Sequence, residues 1–158
     1  MANEAARAAT DADVPAVVAL AELMRGELTP MRGGAVWSVR EARPGPLPAA
    51  YQALLGREDT TLVVGTIDDV VVGFGAGLVD RNQDGRAHGV ISELYVDPDA
   101  RAVGVGEAML GLMMVFFADR RCAGIDAMAL PGHRAAKNFF EQQGLVARAI
   151  VMHTRLSG

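Results

Sequence analysis

Hydrophobic and polar positions follow different periods in the two halves of the chain. Ala5–Ala9 is short and weakly apolar and reads as an edge strand. Thr10, Asp11 and Asp13 then supply oxygens suited to a helix N-cap, and Pro15 fits an early helical position. Val14, Val17, Val18, Leu20, Ala21 and Met24 recur at helical spacing and predict a helix to Arg25. Residues 26–48 are rich in Pro and Gly and lose the period, leaving a long connection with a short helical turn around Gly34–Arg40. Pro48–Gly56, with Tyr51, Leu54 and Leu55, predicts a second short helix. Long connections in compact domains are more often functional than accidental.

The second half alternates by two before it returns to helical spacing. Thr60–Ile67 predicts a strand, Asp68-Asp69 a tight turn and Val70–Val79 its hairpin partner. Asp80–Gly89 reads as a second hairpin connection, and Val90–Val96 as a third strand stopped by Asp97-Pro98. Gly73, Gly75 and Gly77 lie on one face of their strand, where a helix can pack closely. Gly104–Cys122 predicts a helix that is apolar almost all round, hence buried on most of its circumference, with Gly124 placed to end it. Ile125–Leu130 is a short strand, Pro131–Gln143 a helix closed by Gly144, and Val146–Leu156 a last strand. The predicted fold is α/β: one mixed, mostly antiparallel sheet with helices on both faces and a strand–helix–strand crossover.

Composition narrows the classes that this pattern leaves open. At 158 residues the chain is expected to be one domain, 1–158, with a core that needs no staples. Cys122 is the only cysteine, which excludes an intramolecular disulfide and a multi-cysteine metal site; no metal is expected. A net charge of −4 and a pI near 5.3 argue against a nucleic-acid partner. The longest uncharged apolar stretch falls short of the roughly 18–20 residues of a membrane span, and the N-terminus lacks a basic flank. A cytoplasmic location is therefore the expectation. Oligomeric state is not legible, and a homodimer stays open.

Candidate chemistry concentrates where the third strand meets the apolar helix. The segment Ile91-Ser-Glu-Leu-Tyr-Val-Asp-Pro-Asp-Ala-Arg-Ala-Val-Gly-Val-Gly-Glu107 ends a strand and opens a helix through Arg101, Gly104 and Gly106. Backbone N–H groups and the positive end of the helix dipole can hold a pyrophosphate there, with Arg101 adding a charge-assisted hydrogen bond. A glycine-rich turn that merely feeds a helix is the plain alternative. A Walker-type loop needs a lysine that is missing here, and the third glycine of a dinucleotide fingerprint is replaced by Met109.

Leu94-Tyr-Val-Asp-Pro-Asp-Ala-Arg-Ala-Val-Gly-Val-Gly106 resembles the acetyl-CoA signature of the GNAT superfamily of N-acetyltransferases, Arg/Gln-x-x-Gly-x-Gly/Ala between a strand and a helix. Pro131-Gly-His-Arg-Ala-Ala-Lys-Asn-Phe-Phe-Glu-Gln-Gln-Gly-Leu145 looks like that family's second CoA-side motif, Asn-x-x-Ala-x-x-Phe-Tyr-Glu-x-x-Gly-Phe. The resemblance implies a GNAT-like fold and transfer of an acetyl group from acetyl-CoA to a small-molecule or peptide amine. It implies that Arg101, Ala102, Val103, Gly104, Val105 and Gly106 hold the pyrophosphate, and that Leu94, Tyr95 and Val96 line the pantetheine arm. The N–H of Val96 becomes the candidate oxyanion donor, and His133, Lys137 and Phe140 come from the second motif. An arm between the Val90–Val96 and Ile125–Leu130 strands requires those strands to splay.

Glu93 is the candidate general base, because an amine must lose a proton before it attacks. A glutamate between Ser92 and Leu94 in a central strand is unusual, and its plain alternative is an exposed or Arg-paired side chain. Period two puts Ile91, Glu93 and Tyr95 on one face. Two positions depart from the family pattern: Phe140 stands where a tyrosine acid is usual, and His133 where Asn is usual. Water, Tyr95 or Ser92 are the substitutes for the missing acid. Cys122 reads as a structural thiol, the Met109–Met114 run as core, and His88 and His153 as lacking ligand-spaced partners. Trp37 and Tyr51 are either acceptor-pocket walls or packing anchors, and the acceptor is expected to be read by residues 26–56. A non-catalytic acyl-CoA-binding protein is the alternative function, and a nucleotide-binding oxidoreductase is a third.

Overall fold

Thr60–Ile67 (β2) and Val70–Arg81 (β3) form the hairpin on which the sheet is built. Asp68 and Asp69 turn it with φ of 49° and 68°, the left-handed pair whose twist matches that of two adjoining strands. Glu4–Ala8 (β1) pairs antiparallel with β2, and Ala87–Val96 (β4) antiparallel with β3. Ile125–Ala127 (β5) joins β4 in parallel after a helical crossover, giving the order β1-β2-β3-β4-β5. The structure is a computed structural model and describes residues 2–101 and 104–157.

Helices cover both faces, as the apolar patterning requires. Val14–Leu28 (α1), Gly34–Arg40 (α2) and Leu47–Gln52 (α3) lie over one face, where Val17, Leu20 and Met24 pack with Tyr51, Val64, Phe74 and Tyr95. Val105–Asp119 (α4) lies over the other, burying Met109, Met113 and Phe117 with Val63 and Ile91. The glycine face of β3 makes that contact possible. A Cβ on Gly73, Gly75 or Gly77 would stand 2.9, 2.8 or 2.9 Å from Met109, Met113 or Phe117. The methionine run is core, as read from the pattern. Arg134–Gln142 (α5) follows β5 and sets Phe139 near Gly106; Gly144, at φ 92°, ends the helix.

Several boundaries move. α1 runs three residues past Arg25 because Leu28 continues its buried stripe. The second hairpin connection shrinks to residues 82–86, since Asp80 and Arg81 still pair with His88 and Ala87; polar side chains can extend a ladder while staying solvated. α4 stops at Asp119, and Arg121 at φ 56° takes the left-handed position expected of Gly124. It is buried along one stripe rather than all round, with Val115 56% exposed, because only one face meets the sheet. β5 ends at Ala127 rather than Leu130, and α5 starts at Arg134. The last predicted strand is overturned: Val146–Leu156 joins no sheet and is solvent-exposed.

Asp13 ties the first connection down. It accepts from Arg7 Nη1 and Nη2 at 2.7 and 2.9 Å and from the Thr10 N–H at 2.8 Å. The Arg7 bonds hold its carboxyl down at about 2 against the opposing effect of burial. A depressed carboxyl stabilises the fold fully above its ordinary value of 3.8, and that contribution is lost as pH falls toward 2. Asp13→Asn should therefore cost about 2 kcal/mol at neutral pH. Urea midpoints measured from neutral to acid pH should fall less steeply below about pH 4 in the variant than in the parent.

Candidate active site

A bulge in β4 places the key carboxylate. Gly77 pairs with Ile91 and Ala76 with Glu93, so Ser92 is an extra residue against β3. The extra residue inverts the alternation. Ile91 packs under α4, whereas Glu93 and Tyr95 face α1 and α3, so the expected common face of all three does not form. Ser92 Oγ closes the bulge by donating to the Ala76 carbonyl at 3.0 Å.

Glu93 is buried, and both of its oxygens are held. Arg43 Nε and Nη2 lie 2.7 and 2.6 Å from Oε1, and the Tyr51 hydroxyl donates to Oε2 at 2.5 Å. The Arg43 guanidinium also lies 5.0 Å from the Tyr51 ring centroid, and that ring packs edge-on against Phe74. Burial first, and the Glu93 charge second, push the Tyr51 hydroxyl far above its ordinary pKa, so it remains a donor. Beside this cluster opens a cavity of about 210 Å³, with Trp37, Glu41, Arg43, Leu54, Ser92 and Glu93 in its wall. Tyr51 is thus a packing anchor that also grips Glu93, and Trp37 is a cavity wall.

On its other side, β4 pairs with no strand beyond Ile91 among the described residues. β5 pairs with β4 only from Gly89 to Ile91, so the two strands part beyond that point. Asp97 N–H donates to the Val72 carbonyl, which makes Gly73 and Val96 a non-hydrogen-bonded pair. By alternation, Leu94 and Val96 direct their N–H and C=O groups away from β3, toward the gap, while Tyr95 pairs with Phe74. The Val96 carbonyl accepts from Arg101 Nε at 2.9 Å. Its N–H points to the side that β5 has vacated.

Gly104, at φ 89°, caps α4, and Val105 is buried in the first turn. Gly106, in the same turn, faces the Phe139 ring of α5, where a Cβ would stand 3.4 Å from it, in ordinary contact. Ala102 and Val103 lie outside the described residues. Arg101 differs from expectation: its guanidinium grips Glu27 at 2.7 and 2.8 Å and stacks 5.2 Å from the Tyr95 ring. Arg101 therefore clamps the strand end to α1. Tyr95 donates its hydroxyl to Glu27 at 2.9 Å, and the Arg101 bonds hold the Glu27 carboxyl below its ordinary value.

His133 precedes α5 and is half-buried, and desolvation lowers its pKa. Lys137 pairs with Glu141 on the exposed side of α5. Phe140 stacks edge-on with Phe139 and offers no proton. Of the proposed substitutes, Tyr95 and Ser92 already donate elsewhere. Cys122 is half-buried, and burial raises its thiol. His88 proves to lie in β4, its Nε2 3.0 Å from Asp126.

Sequence reasoning missed Arg43 and Glu27. Glu27 carried a signal, an acid three residues after Met24 on the buried stripe of α1. Arg43 carried none, because its loop has no period.

The sequence matches the model of the acetyltransferase (GNAT) family over residues 20–145. Among solved structures, the chain is similar to a tetramutant of the BH1408 protein from Bacillus halodurans, with a TM-score of 0.80, 20% identity, and 96% and 99% of the two chains covered. It is similar to an aminoglycoside acetyltransferase from an uncultured soil metagenomic sample in complex with sisomicin, at a TM-score of 0.68, 18% identity, and 99% and 95% coverage. A ribosomal-protein-alanine N-acetyltransferase from Brucella melitensis biovar Abortus gives a TM-score of 0.70, 16% identity, and 97% and 99% coverage. Curated protein sequences give no match. Among the described residues, no helix is long and apolar enough to cross a membrane.

Proposed function

The chain belongs to the GNAT acetyltransferase family, and from that premise we propose that it is a single acetyl-CoA-binding domain, 1–158, that acetylates a primary amine by direct attack in a ternary complex. The observation that carries this reading is the unpaired β4 edge at Leu94 and Val96, which leads to the glycine-capped start of α4. That edge can pair with the amides of a pantetheine arm, and the helix start suits a pyrophosphate. When bound, acetyl-CoA supplies the activated acyl group.

Glu93 takes the proton from the amine, directly or through a water. A carboxylate offers about four lone-pair positions, so the bonds from Arg43 and Tyr51 leave room for a further donor. With acetyl-CoA bound along that edge, the Val96 N–H would donate to the acyl oxygen as negative charge grows on it. Departure of a thiol with a pKa near 8.5 needs no dedicated acid, and with Tyr95 and Ser92 already donating, water returns the proton. The cavity beside Glu93, walled by Trp37 and Glu41, is the acceptor site. Glu41 and Glu93 against Arg43 leave its wall one acidic charge in excess, which suits a small cationic amine or a peptide N-terminus, and the similar structures include enzymes named for an aminoglycoside and for a protein alanine. A homodimer in the cytoplasm belongs to the same reading.

Calorimetric titration with CoA and acetyl-CoA, with NAD and ATP as controls, tests the premise of every step. The expected result is micromolar CoA binding that NAD and ATP do not match. Failure to bind CoA, or tighter binding of NAD, would remove the acetyltransferase reading together with its site. Binding followed by silence in a thiol-release screen of amines would favour the non-catalytic acyl-CoA-binding alternative, which Phe140 keeps in view.

A further inference from the structure

The cavity beside Glu93 keeps an apolar wall on the far side of the base from the acyl site. Phe74, Ala76 and Leu78 alternate onto one face of β3, where Phe74 pairs with Tyr95 and Ala76 with Glu93. Leu78 is therefore the next side chain beyond Glu93, away from Tyr95 and Val96. It lines the cavity and is 37% exposed. Thr60 pairs with Leu78 and donates its hydroxyl to the Leu54 carbonyl at 2.9 Å, which sets Leu54 alongside. Trp37 completes the apolar wall, itself half-buried against the core under α1. Apolar surface left facing water forgoes a burial that a bound apolar group restores.

Charge and volume limit what can enter. Glu41 and Glu93 against Arg43 leave one acidic charge in excess, enough for a single ammonium. A second ammonium would meet Arg43, or share Glu41 with Arg40, whose Nε already stands 3.6 Å from it. The volume of about 210 Å³ lies below the roughly 300–1,000 Å³ of sites that enclose drug-sized molecules. One ring or a short branched chain fits it, whereas several linked sugar rings do not.

On the reading of Glu93 as the base and this cavity as the acceptor site, we propose that the acceptor is a monoamine with a compact apolar body. Its ammonium lies at Glu93 and its body between Trp37, Leu54 and Leu78. The amine nitrogen bonds the acetyl carbon as the thioester C–S bond breaks. One ammonium proton passes to Glu93 and on to water, and a second ends on the sulfur of CoA. Trp37, Leu54 and Leu78 touch only the body, so a poor match raises KM more than it lowers kcat. A polycation brings a second charge for which the cavity has no unshared acid. A peptide brings amide groups for which the apolar wall has no partner.

Trp37 is the only tryptophan of the chain, so its emission reports occupancy of the cavity without turnover. The full chain, with and without saturating CoA, is titrated with phenethylamine, ethylamine, spermidine, the aminoglycoside sisomicin and an alanyl dipeptide amide. Thiol release from acetyl-CoA is then measured with the same five amines. Phenethylamine is expected to shift the emission saturably, to bind at least about 30-fold more tightly than ethylamine, and to give the highest kcat/KM. Leu78→Ala is expected to weaken phenethylamine about 10-fold, through KM, and to leave ethylamine within about twofold. Preference for spermidine, sisomicin or the dipeptide overturns the proposal and leaves the acetyltransferase reading standing. Silence of Trp37 toward every amine overturns it too. Saturable phenethylamine binding in a chain that does not bind CoA upholds the cavity's ligand and removes the acetyltransferase reading instead. Should Leu78→Ala fail to fold, the wild-type order of the amines decides.

Discussion

Glu93→Gln is expected to lower acetyl transfer by about 100- to 10,000-fold, the span of a positioned general base, while CoA affinity stays within a factor of a few. Glutamine keeps the volume of the side chain and an oxygen that can accept from Tyr51 or Arg43, but it cannot take a proton from an ammonium. The open β4 edge and the α4 start, where CoA is proposed to bind, are built from backbone that the substitution leaves in place. Thiol release at saturating acetyl-CoA, paired with calorimetry on the same preparation, checks both halves. Turnover within a few-fold of wild type would move the base to another group. Joint loss of binding and turnover would make Glu93 a structural residue.

Arg43→Ala is expected to lower stability by about 3 kcal/mol, the low end of the cost of removing one partner from a buried ion pair. In a domain of this size that is a fall of roughly 6–12 °C in melting temperature. The side chains of Arg43 and Glu93 are 20% and 7% exposed, so water can replace the guanidinium only in part. Most of the cost is the uncompensated carboxylate rather than lost attraction. It follows that Arg43→Ala/Glu93→Gln should recover most of the loss, because the remaining amide is neutral. Urea unfolding of the wild type, both single variants and the double variant measures the coupling. Additive losses would show that Arg43 stabilises its loop independently of Glu93.

Arg43→Ala also probes how the acceptor reaches the base. The guanidinium occupies one oxygen of Glu93 at the wall of the cavity where a cationic amine is proposed to bind. Two cations that share one carboxylate repel each other, so the acceptor has to enter on the remaining lone pairs or displace Arg43.

Much of this architecture is legible without coordinates, because it rests on local periods. The Val14–Met24 stripe, the Gly34–Arg40 turn, the Thr60–Ile67 strand and the Asp68-Asp69 turn each depend on residues a few positions apart. The glycine face of β3 and the apolar residues of α4 likewise state their partnership in composition, since only a bare strand face admits Met109, Met113 and Phe117 so closely. The glycine that caps α4 is legible for the same local reason, whereas the engagement of the nearby Arg101 by Glu27 is not.

The rest was decided across distance. Arg43 and Tyr51 reach Glu93 from 50 and 42 residues away, and no period relates a loop arginine to a strand glutamate. The bulge at Ser92 depends on how β3 accommodates β4, so it turned Ile91 away from Glu93 and overturned the common face that strict alternation predicts. Val146–Leu156 has the composition of a strand, but a strand exists only when another backbone pairs with it, and among the described residues none does. By itself the sequence determined the family, the helices and strands that rest on local periods, and the presence of a carboxylate, Glu93, in a central strand. Tertiary structure alone decided what holds that carboxylate, which backbone edge stays open and which segment is left without a partner, because these are contacts between residues whose spacing along the chain carries no record of their meeting.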